Sequence, residues 1–278
     1  MLKPETAQPG WPADWIVPDW PAPAGVHALF TTRAGGVSSP PFDSFNLGEH
    51  VRDDPAAVAQ NRQRLARALG AARPVFLQQV HGTDVLQLHA HSPEGSVADA
   101  CLSTQPGLAC TVMVADCLPV LLAHRSGTVV AAAHAGWRGL AGLHGPGVLE
   151  STLAALVHAV QPLTGDTPAQ VARDTLAWLG PCIGHDAFEV GAEVREAFTS
   201  KEPLDAAGFV RQPGGKYLAH LAWLARQRLQ RLGLQAVYGN NGNSAWCTVS
   251  HRLRFFSHRR DAVAGSSTGR MAACIWLG

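Results

Sequence analysis

A chain of 278 residues with 46% hydrophobic side chains has the material for a large core, and at this size an α/β or all-β architecture is often one unit. Its formal net charge of +1, with no basic block, argues against nucleic acid as the main partner while leaving room for a local phosphate pocket. No apolar run reaches membrane-span length and the opening segment has no signal-peptide core, so the expectation is a cytoplasmic protein whose six cysteines stay reduced.

Residues 1–25, rich in Pro and Trp, are expected to form an irregular arm that packs through its rings, and 26–278 to form a single domain. Val26 to Thr32 reads as a strand. It ends in the glycine turn Arg33-Ala34-Gly35-Gly36, where an Arg and several N–H groups can meet an anion or simply close a loop. Asn46 lies among aromatic and apolar neighbours, where a buried amide needs partners or a ligand. Asp54-Pro55 opens a helix, with Val58, Leu65 and Leu69 as its apolar stripe and Gly70 as its stop. Pro74 to Val80 reads as a strand ending in His81-Gly82-Thr83-Asp84, with Val85 to Leu88 as its return.

Pro93 to Ser103 reads as a loop carrying Asp99, and Ala109 to Ala115 as a strand running into Asp116-Cys117. Two apolar runs follow, joined at Ser126-Gly127, a hairpin signal that sets which residues face each other. With Arg125 opposite Thr128, Ala123 meets Val130, Leu121 meets Ala132 and Pro119 meets His134. Cys117, two positions beyond Pro119 on the same face, is then a diagonal neighbour of His134. In the turn His134 to Gly139, small residues surround the Trp137 ring and the Arg138 guanidinium; Trp137 can stack on a flat base or roof the core.

Gly142 to Gly147 leads into a helix carrying Val148, Leu149, Leu153, Leu156 and Val160, and Pro162 to Pro168 reads as a surface connection. Thr175 to Leu179 is a strand ending in the turn Gly180 to Gly184. Helices from about Gly191 to Phe198 and from about Tyr217 to Leu232 follow, Gly233 stopping the second. The chain closes on Phe255 to Asp261, a glycine loop, Thr268-Gly269-Arg270 and the strand Met271 to Leu277.

Three readings of Cys117 with His134 stand side by side. In one, His81 joins them and the trio holds Zn²⁺ with a fourth position left for water or substrate, the pattern of a catalytic rather than a structural site. In another, Cys117 is a nucleophile and His134 its base. In the third, both are buried residues without chemistry, which the adjoining Asp116 and the His134 to Gly139 turn weigh against. A four-copper site needs many His-x-His pairs, and the chain has one, His89-Ala90-His91.

Taken together and in order, several motifs resemble the bacterial multicopper polyphenol oxidase, or laccase-domain, family. They are FTTRAGGVS (Phe30 to Ser38), NLG (Asn46 to Gly48), QQVHG (Gln78 to Gly82), ADCLPVLL (Ala115 to Leu122), AAAHAGWRGL (Ala131 to Leu140), GPCIG (Gly180 to Gly184), FEVGAEV (Phe188 to Val194), and FFSHRRD with TGR (Phe255 to Arg270). Members are described as purine nucleoside phosphorylases with adenosine deaminase activity, and some as peptidoglycan editing factors. The resemblance implies metal ligands at His81, Cys117 and His134, for zinc, with copper the alternative. It implies phosphorolysis of adenosine, inosine, guanosine and methylthioadenosine, together with hydrolytic deamination of adenosine. The implied fold is α+β, a single domain with two mixed β-sheets packed between helical layers, shared with a cytotoxic necrotizing factor-like toxin deamidase that uses a Cys-His pair.

Phosphorolysis brings an anion to a sugar that turns cationic, so a site needs cationic donors on one side and a base acceptor on the other. Arg33, Arg138 and Arg259 are the phosphate candidates; Asn46, Trp137 and Asp116 are candidates for holding nucleoside, Asp116 being counted with the catalytic trio. The expected partners are purine nucleosides and phosphate, with no nucleic acid, membrane or obligate protein partner. Two departures from the family pattern, His258 in place of a Tyr and the stretch Leu143-His144-Gly145-Pro146, bear on the substrate mouth. The competing classes are a cysteine-dependent hydrolase or deamidase, a peptidoglycan-precursor editing enzyme, and a copper-dependent polyphenol oxidase.

Overall fold

The computed structural model of the protein describes residues 11–143, 145–262 and 267–278. In chain order the strands are β1 (Val26–Phe30), β2 (Arg73–Gln78), β3 (Val85–Gln87), β4 (Ser96–Val97), β5 (Ala100–Ser103), β6 (Leu108–Val114), β7 (Leu118–His124), β8 (Val130–Ala135), β9 (Thr175–Leu179), β10 (Glu189–Val190), β11 (Phe209–Arg211), β12 (Tyr217–Ala219), β13 (Ala236–Gly239) and β14 (Met271–Leu277). The helices are α1 (Pro55–Ala68), α2 (Trp137–Ala141), α3 (Val148–Thr164), α4 (Pro168–Arg173), α5 (Ala192–Thr199), α6 (Leu221–Arg231) and α7 (His258–Asp261). A five-stranded sheet runs β1-β14-β6-β2-β4 and a six-stranded sheet β13-β9-β7-β8-β5-β3, both mixed, with a small sheet β10-β12-β11 beside them.

The two large sheets face each other because their strands carry apolar side chains on both faces. From β1 and β14, Phe30, Ala273 and Ile275 meet Leu121, Ala123, Val130, Ala132 and Trp178 of the six-stranded sheet in one central cluster. The alternate residues Leu29, Ala272, Cys274 and Trp276 point the other way, where Leu65 and Leu69 of the α1 segment, Trp15 and Phe45 cover them. On the far side of the six-stranded sheet, Val120, Leu122, Ala131 and Ala133 pack under Leu149, Leu153 and Leu156 of α3 and Leu224 and Leu229 of α6. The result is helix, sheet, sheet, helix, the α+β arrangement with two mixed sheets between helical layers.

The hairpin register is as the alternation predicts: Pro119 faces His134, Leu121 faces Ala132 and Ala123 faces Val130. The connecting loop is longer than two residues. The His124 amide donates to the Val129 carbonyl and Gly127 to His124, so Arg125 to Thr128 all lie in the turn. α1 starts as its sequence dictates, the Asp54 carboxylate accepting the Ala56 N–H ahead of Pro55.

Four expectations are corrected. Val85 to Leu88 is not the return of β2: β2 lies parallel to β4 and β6, whereas β3 pairs with β5 in the other sheet, so residues 79–84 cross between sheets. The segment Pro93 to Ser103 is not all loop, since it supplies β4 and β5 around Asp99. α3 runs through Pro162 to Thr164; that proline is exposed in the last turn, where water can take the place of the bond it removes, and Gly165 at φ 76° ends the helix. Tyr217 to Ala219 is a strand, the middle of the small sheet, and the helix begins at Leu221, capped by the His220 Nδ1 that accepts the Trp223 N–H. Residues 1–10 of the expected arm, and His144, lie outside the described residues.

Parallel pairing decides where the crossings fall. β2 and β6 point the same way, so both leave the five-stranded sheet at one end of the sandwich, and each continues into the six-stranded sheet from there. The first crossing carries His81 and the second Asp116-Cys117. β8 runs antiparallel to β7 and ends beside the start of β7, bringing His134 to the same place. None of the helices described is long and apolar enough to cross a membrane.

Leu121 is fully buried between the sheets and Leu253 is 93% exposed. Leu121→Ala should cost about 2–5 kcal/mol of unfolding free energy in urea titration, and Leu253→Ala less than about 0.5 kcal/mol.

Candidate functional site

His81, Cys117 and His134 converge from three segments at the open end of the inter-sheet core. Their ligand atoms lie within 4.8 Å of one another, and among the described residues they are the one group of three or more His, Cys, Asp or Glu side chains that could share an ion. The Cys117 Sγ is 3.6 Å from His81 Nε2, and the two imidazole rings meet edge to face at 4.8 Å and 70°. His134 is buried, Cys117 half-buried and His81 exposed, so the trio has a closed back and an open front.

One buried carboxylate arranges two of the three. Asp99 Oδ1 sits 2.8 Å from His134 Nδ1 and accepts the His81 N–H at 2.9 Å. Its Oδ2 accepts the N–H groups of Val80 and Gly82, at 3.0 and 2.7 Å. Because Nδ1 of His134 is taken by Asp99, its Nε2 is the nitrogen left for an ion. His81 holds φ 61°, a left-handed conformation that costs a non-glycine residue energy, and the three N–H bonds to Asp99 hold the chain in that bend. Asp116 has φ 89° at the second crossing. Its Oδ1 accepts the Thr248 hydroxyl at 2.5 Å, and its Oδ2 the Ser257 hydroxyl and the Arg259 N–H at 3.1 and 2.6 Å.

Electrostatics favour a thiolate. Burial by itself would raise the Cys117 thiol, but His134, then His81, outweigh it and bring the pKa down to about 6. Burial would lower His134, yet Cys117 and Asp99 together raise it to about 9. Burial also acts to raise Asp99, and the bonds from His134, Gly82 and Val80 more than offset it, holding the carboxyl below its ordinary range. A soft sulfur anion with two imidazole nitrogens suits a borderline-soft ion such as zinc, and copper as well. Gly136 leaves the space: a Cβ there would stand 2.7 Å from His81 Cδ2 and 3.0 Å from Cys117 Sγ.

The trio opens into a cavity of about 630 Å³, within the usual span for a small-molecule site. Asp116, Trp137, Arg138 and Arg259 line it, as do Arg270, which sequence reasoning did not single out as a phosphate candidate, and His258. Arg138 lies over the Trp137 ring, its Cζ 4.4 Å from the centroid. Arg259 is partly committed, donating to the carbonyls of Ala187 and Glu189 at 3.2 and 3.0 Å. Although Asp116 lines the cavity, both its oxygens are taken by protein donors, so it ties the Cys117 loop to α7.

Two sequence candidates are not in the lining. Arg33 donates to the carbonyls of Asp43 and Arg252, pairs with the Asp43 carboxylate at 3.1 Å and covers the Phe256 ring, so the glycine turn that carries it is a closed loop. Asn46 is fully buried with both ends of its amide satisfied, donating to Gly48 and Asp53 and accepting from Gly48 and Arg270. From the sequence Asp99 is only a loop acid. An isolated acid between small residues, 18 positions from the nearest ligand in sequence, carries no local signal of its role.

Residues 27–278 match the family described as multi-copper polyphenol oxidoreductase laccase. The chain is 49% identical over 263 residues to the purine nucleoside phosphorylase YfiH of Escherichia coli (strain K12), spanning 94% of this chain and 98% of that one. It is 49% identical over 264 residues to a purine nucleoside phosphorylase of Pseudomonas aeruginosa, at 95% and 98% coverage. Among solved structures it resembles a Neisseria meningitidis protein with 46% identity and a TM-score of 0.83, covering 95% of this chain and 99% of that one. YlmD of Geobacillus stearothermophilus matches with 30% identity and a TM-score of 0.78, at 92% and 93% coverage.

Two outcomes follow from this geometry. In metal-free protein, alkylation of Cys117 by iodoacetamide should accelerate as pH rises through about 6, because the thiolate is the reacting form; a midpoint near the ordinary thiol value of 9.0 would contradict the imidazole field. Asp99→Asn should weaken zinc affinity by about 10- to 100-fold in chelator competition, since it removes the anion that orients His134.

Proposed function

The chain belongs to the multi-copper polyphenol oxidoreductase laccase family, and we propose that it is a zinc-dependent purine nucleoside phosphorylase that also deaminates adenosine. The proposed substrates are adenosine, inosine, guanosine and methylthioadenosine, with inorganic phosphate. The observation that carries this reading is a His-Cys-His trio at the floor of a nucleoside-sized cavity whose walls hold three guanidinium groups and a single acid, Asp116, among the described lining residues. Relatives at 49% identity bear the name purine nucleoside phosphorylase, and the chain covers nearly all of their length.

In phosphorolysis a phosphate oxygen bonds to C1′ of the ribose while the C1′–N bond breaks with its electron pair going to the purine. The proton of hydrogen phosphate ends on the purine, giving free base and ribose 1-phosphate. A zinc ion on His81, Cys117 and His134 would supply a Lewis acid at this end of the cavity. The protein's own groups supply the rest. Guanidinium donors at Arg138, Arg259 and Arg270 offset the charge of the phosphate, and the Trp137 ring, with Arg138 over it, adds apolar wall to the cavity beside them. Asp99 keeps His134 and the His81 bend fixed, so the centre needs little reorganisation as charge develops.

The lowered Cys117 thiol also supports a second reading, a cysteine hydrolase with His134 as base. The two are separable. With purified holoenzyme and inosine, hypoxanthine should appear only when phosphate is supplied, and Cys117→Ala should lose bound metal and roughly 10²–10³-fold or more of the rate together. Phosphate-independent turnover that alkylation abolishes without metal loss would favour the cysteine enzyme instead.

A further inference from the structure

The motifs Asn46-Leu47-Gly48 and Thr268-Gly269-Arg270 are far apart in sequence and meet at the cavity wall. The Asn46 Oδ1 accepts the Arg270 N–H at 2.9 Å and the Gly48 N–H at 2.9 Å, so one amide joins the two segments. Asn46 is itself held from α1: Asn61 Nδ2 donates to its carbonyl at 2.9 Å and to Ser38 and Ser44 nearby. Gly48 then gives Arg270 its path. A Cβ at Gly48 would lie 2.8 Å from Arg270 Cγ and 3.2 Å from its Cβ, displacing the side chain.

Arg270 Nη1 is anchored on the carbonyls of Thr268 and Gly269, at 2.8 and 3.3 Å. Among the described residues nothing accepts from its Nε or Nη2. These two donors form the edge of the guanidinium that matches two oxygens of a phosphate. Its side chain lines the same cavity as His81, Cys117, His134 and Asp116. Of the other two cavity guanidiniums, Arg259 donates to Ala187 and Glu189, while Arg138 lies exposed over Trp137. A half-buried, anchored guanidinium with two donors left over is therefore what the cavity offers an anion.

We propose that Arg270, positioned by Asn46 and given its path by Gly48, is the residue that receives the phosphate co-substrate. This assignment rests on the phosphorylase reading and replaces Arg33, whose guanidinium is engaged outside the cavity. It explains why the two motifs belong to one site: an amide crosslink and a missing Cβ set a cation, and the cation sets the anion.

The test uses the zinc-loaded enzyme with inosine and inorganic phosphate. Arg270→Gln should raise KM for phosphate by roughly 10- to 100-fold, the scale of lost charge-assisted hydrogen bonds, while KM for inosine stays within about twofold. Bound zinc should match the wild type, showing an intact centre. Gly48→Ala, which leaves every charge in place, should move the same parameter in the same direction, and Arg270→Lys serves if the glutamine variant does not fold. An unchanged phosphate KM in Arg270→Gln, or an equal rise for inosine, overturns the assignment. Wild-type enzyme that never cleaves inosine at any phosphate concentration sinks the phosphorylase reading instead. The anion site is then judged by melting temperature: inorganic phosphate should stabilise the wild type and not Arg270→Gln, and a wild type that phosphate does not stabilise overturns the site as well.

Discussion

A single carboxylate, buried without exposure where the two sheets meet, is the constraint on which the site depends. An ionised Asp99 in such a place would cost several kcal/mol if unpaired, so it persists only with a full set of donors. It has them: one imidazole nitrogen and three successive backbone N–H groups. Its backbone carbonyl accepts the His134 N–H as well, at 2.7 Å, so Asp99 grips that histidine through main chain and side chain together. The bend at His81 and the aim of His134 are thus one event: any ion the trio holds meets ligands whose directions were set by folding.

The same logic extends outward from the trio. Gln79 pins the first crossing to β6, its amide exchanging two bonds with the Met113 backbone at 2.8 and 2.7 Å. Asp116 pins the second crossing to the segment around α7. Small residues decide how close the parts come: Ala131, Ala132 and Ala133 in β8 keep that strand thin, and Gly136 leaves the volume in which Cys117 and His81 approach. The cavity is what remains where the sandwich opens, and in its wall Gln79 and Asp116 have their side-chain oxygens already bonded to protein.

Charge is sorted by position rather than by amount. The chain is nearly neutral, yet among the described residues the cavity lining holds three guanidiniums against one acid whose oxygens are occupied. Elsewhere the fold engages Arg33 on a loop, Arg228 on Glu150 and Arg231 on Asp205. A net charge near zero therefore coexists with a local field suited to an anion, which composition alone cannot reveal.

What the sequence by itself determined is local or periodic. The alternation of β7 and β8 set their register, and with it the approach of Cys117 to His134; the run Met271 to Leu277 and the Asp54-Pro55 helix start were equally legible, because turn chemistry, capping and period two act over a few residues. The motifs also carried a family resemblance, and with it the trio and the fold. The tertiary structure alone decided which sheet each strand joins, hence that residues 79–84 form a crossing and not a hairpin, and that Tyr217 to Ala219 is a strand. It alone separated Arg33, spent on a loop, from Arg270, open to the cavity, and gave Asp99 its place. Strand partners and buried donors come from segments tens to hundreds of residues apart, and no window of sequence contains both ends of such a bond.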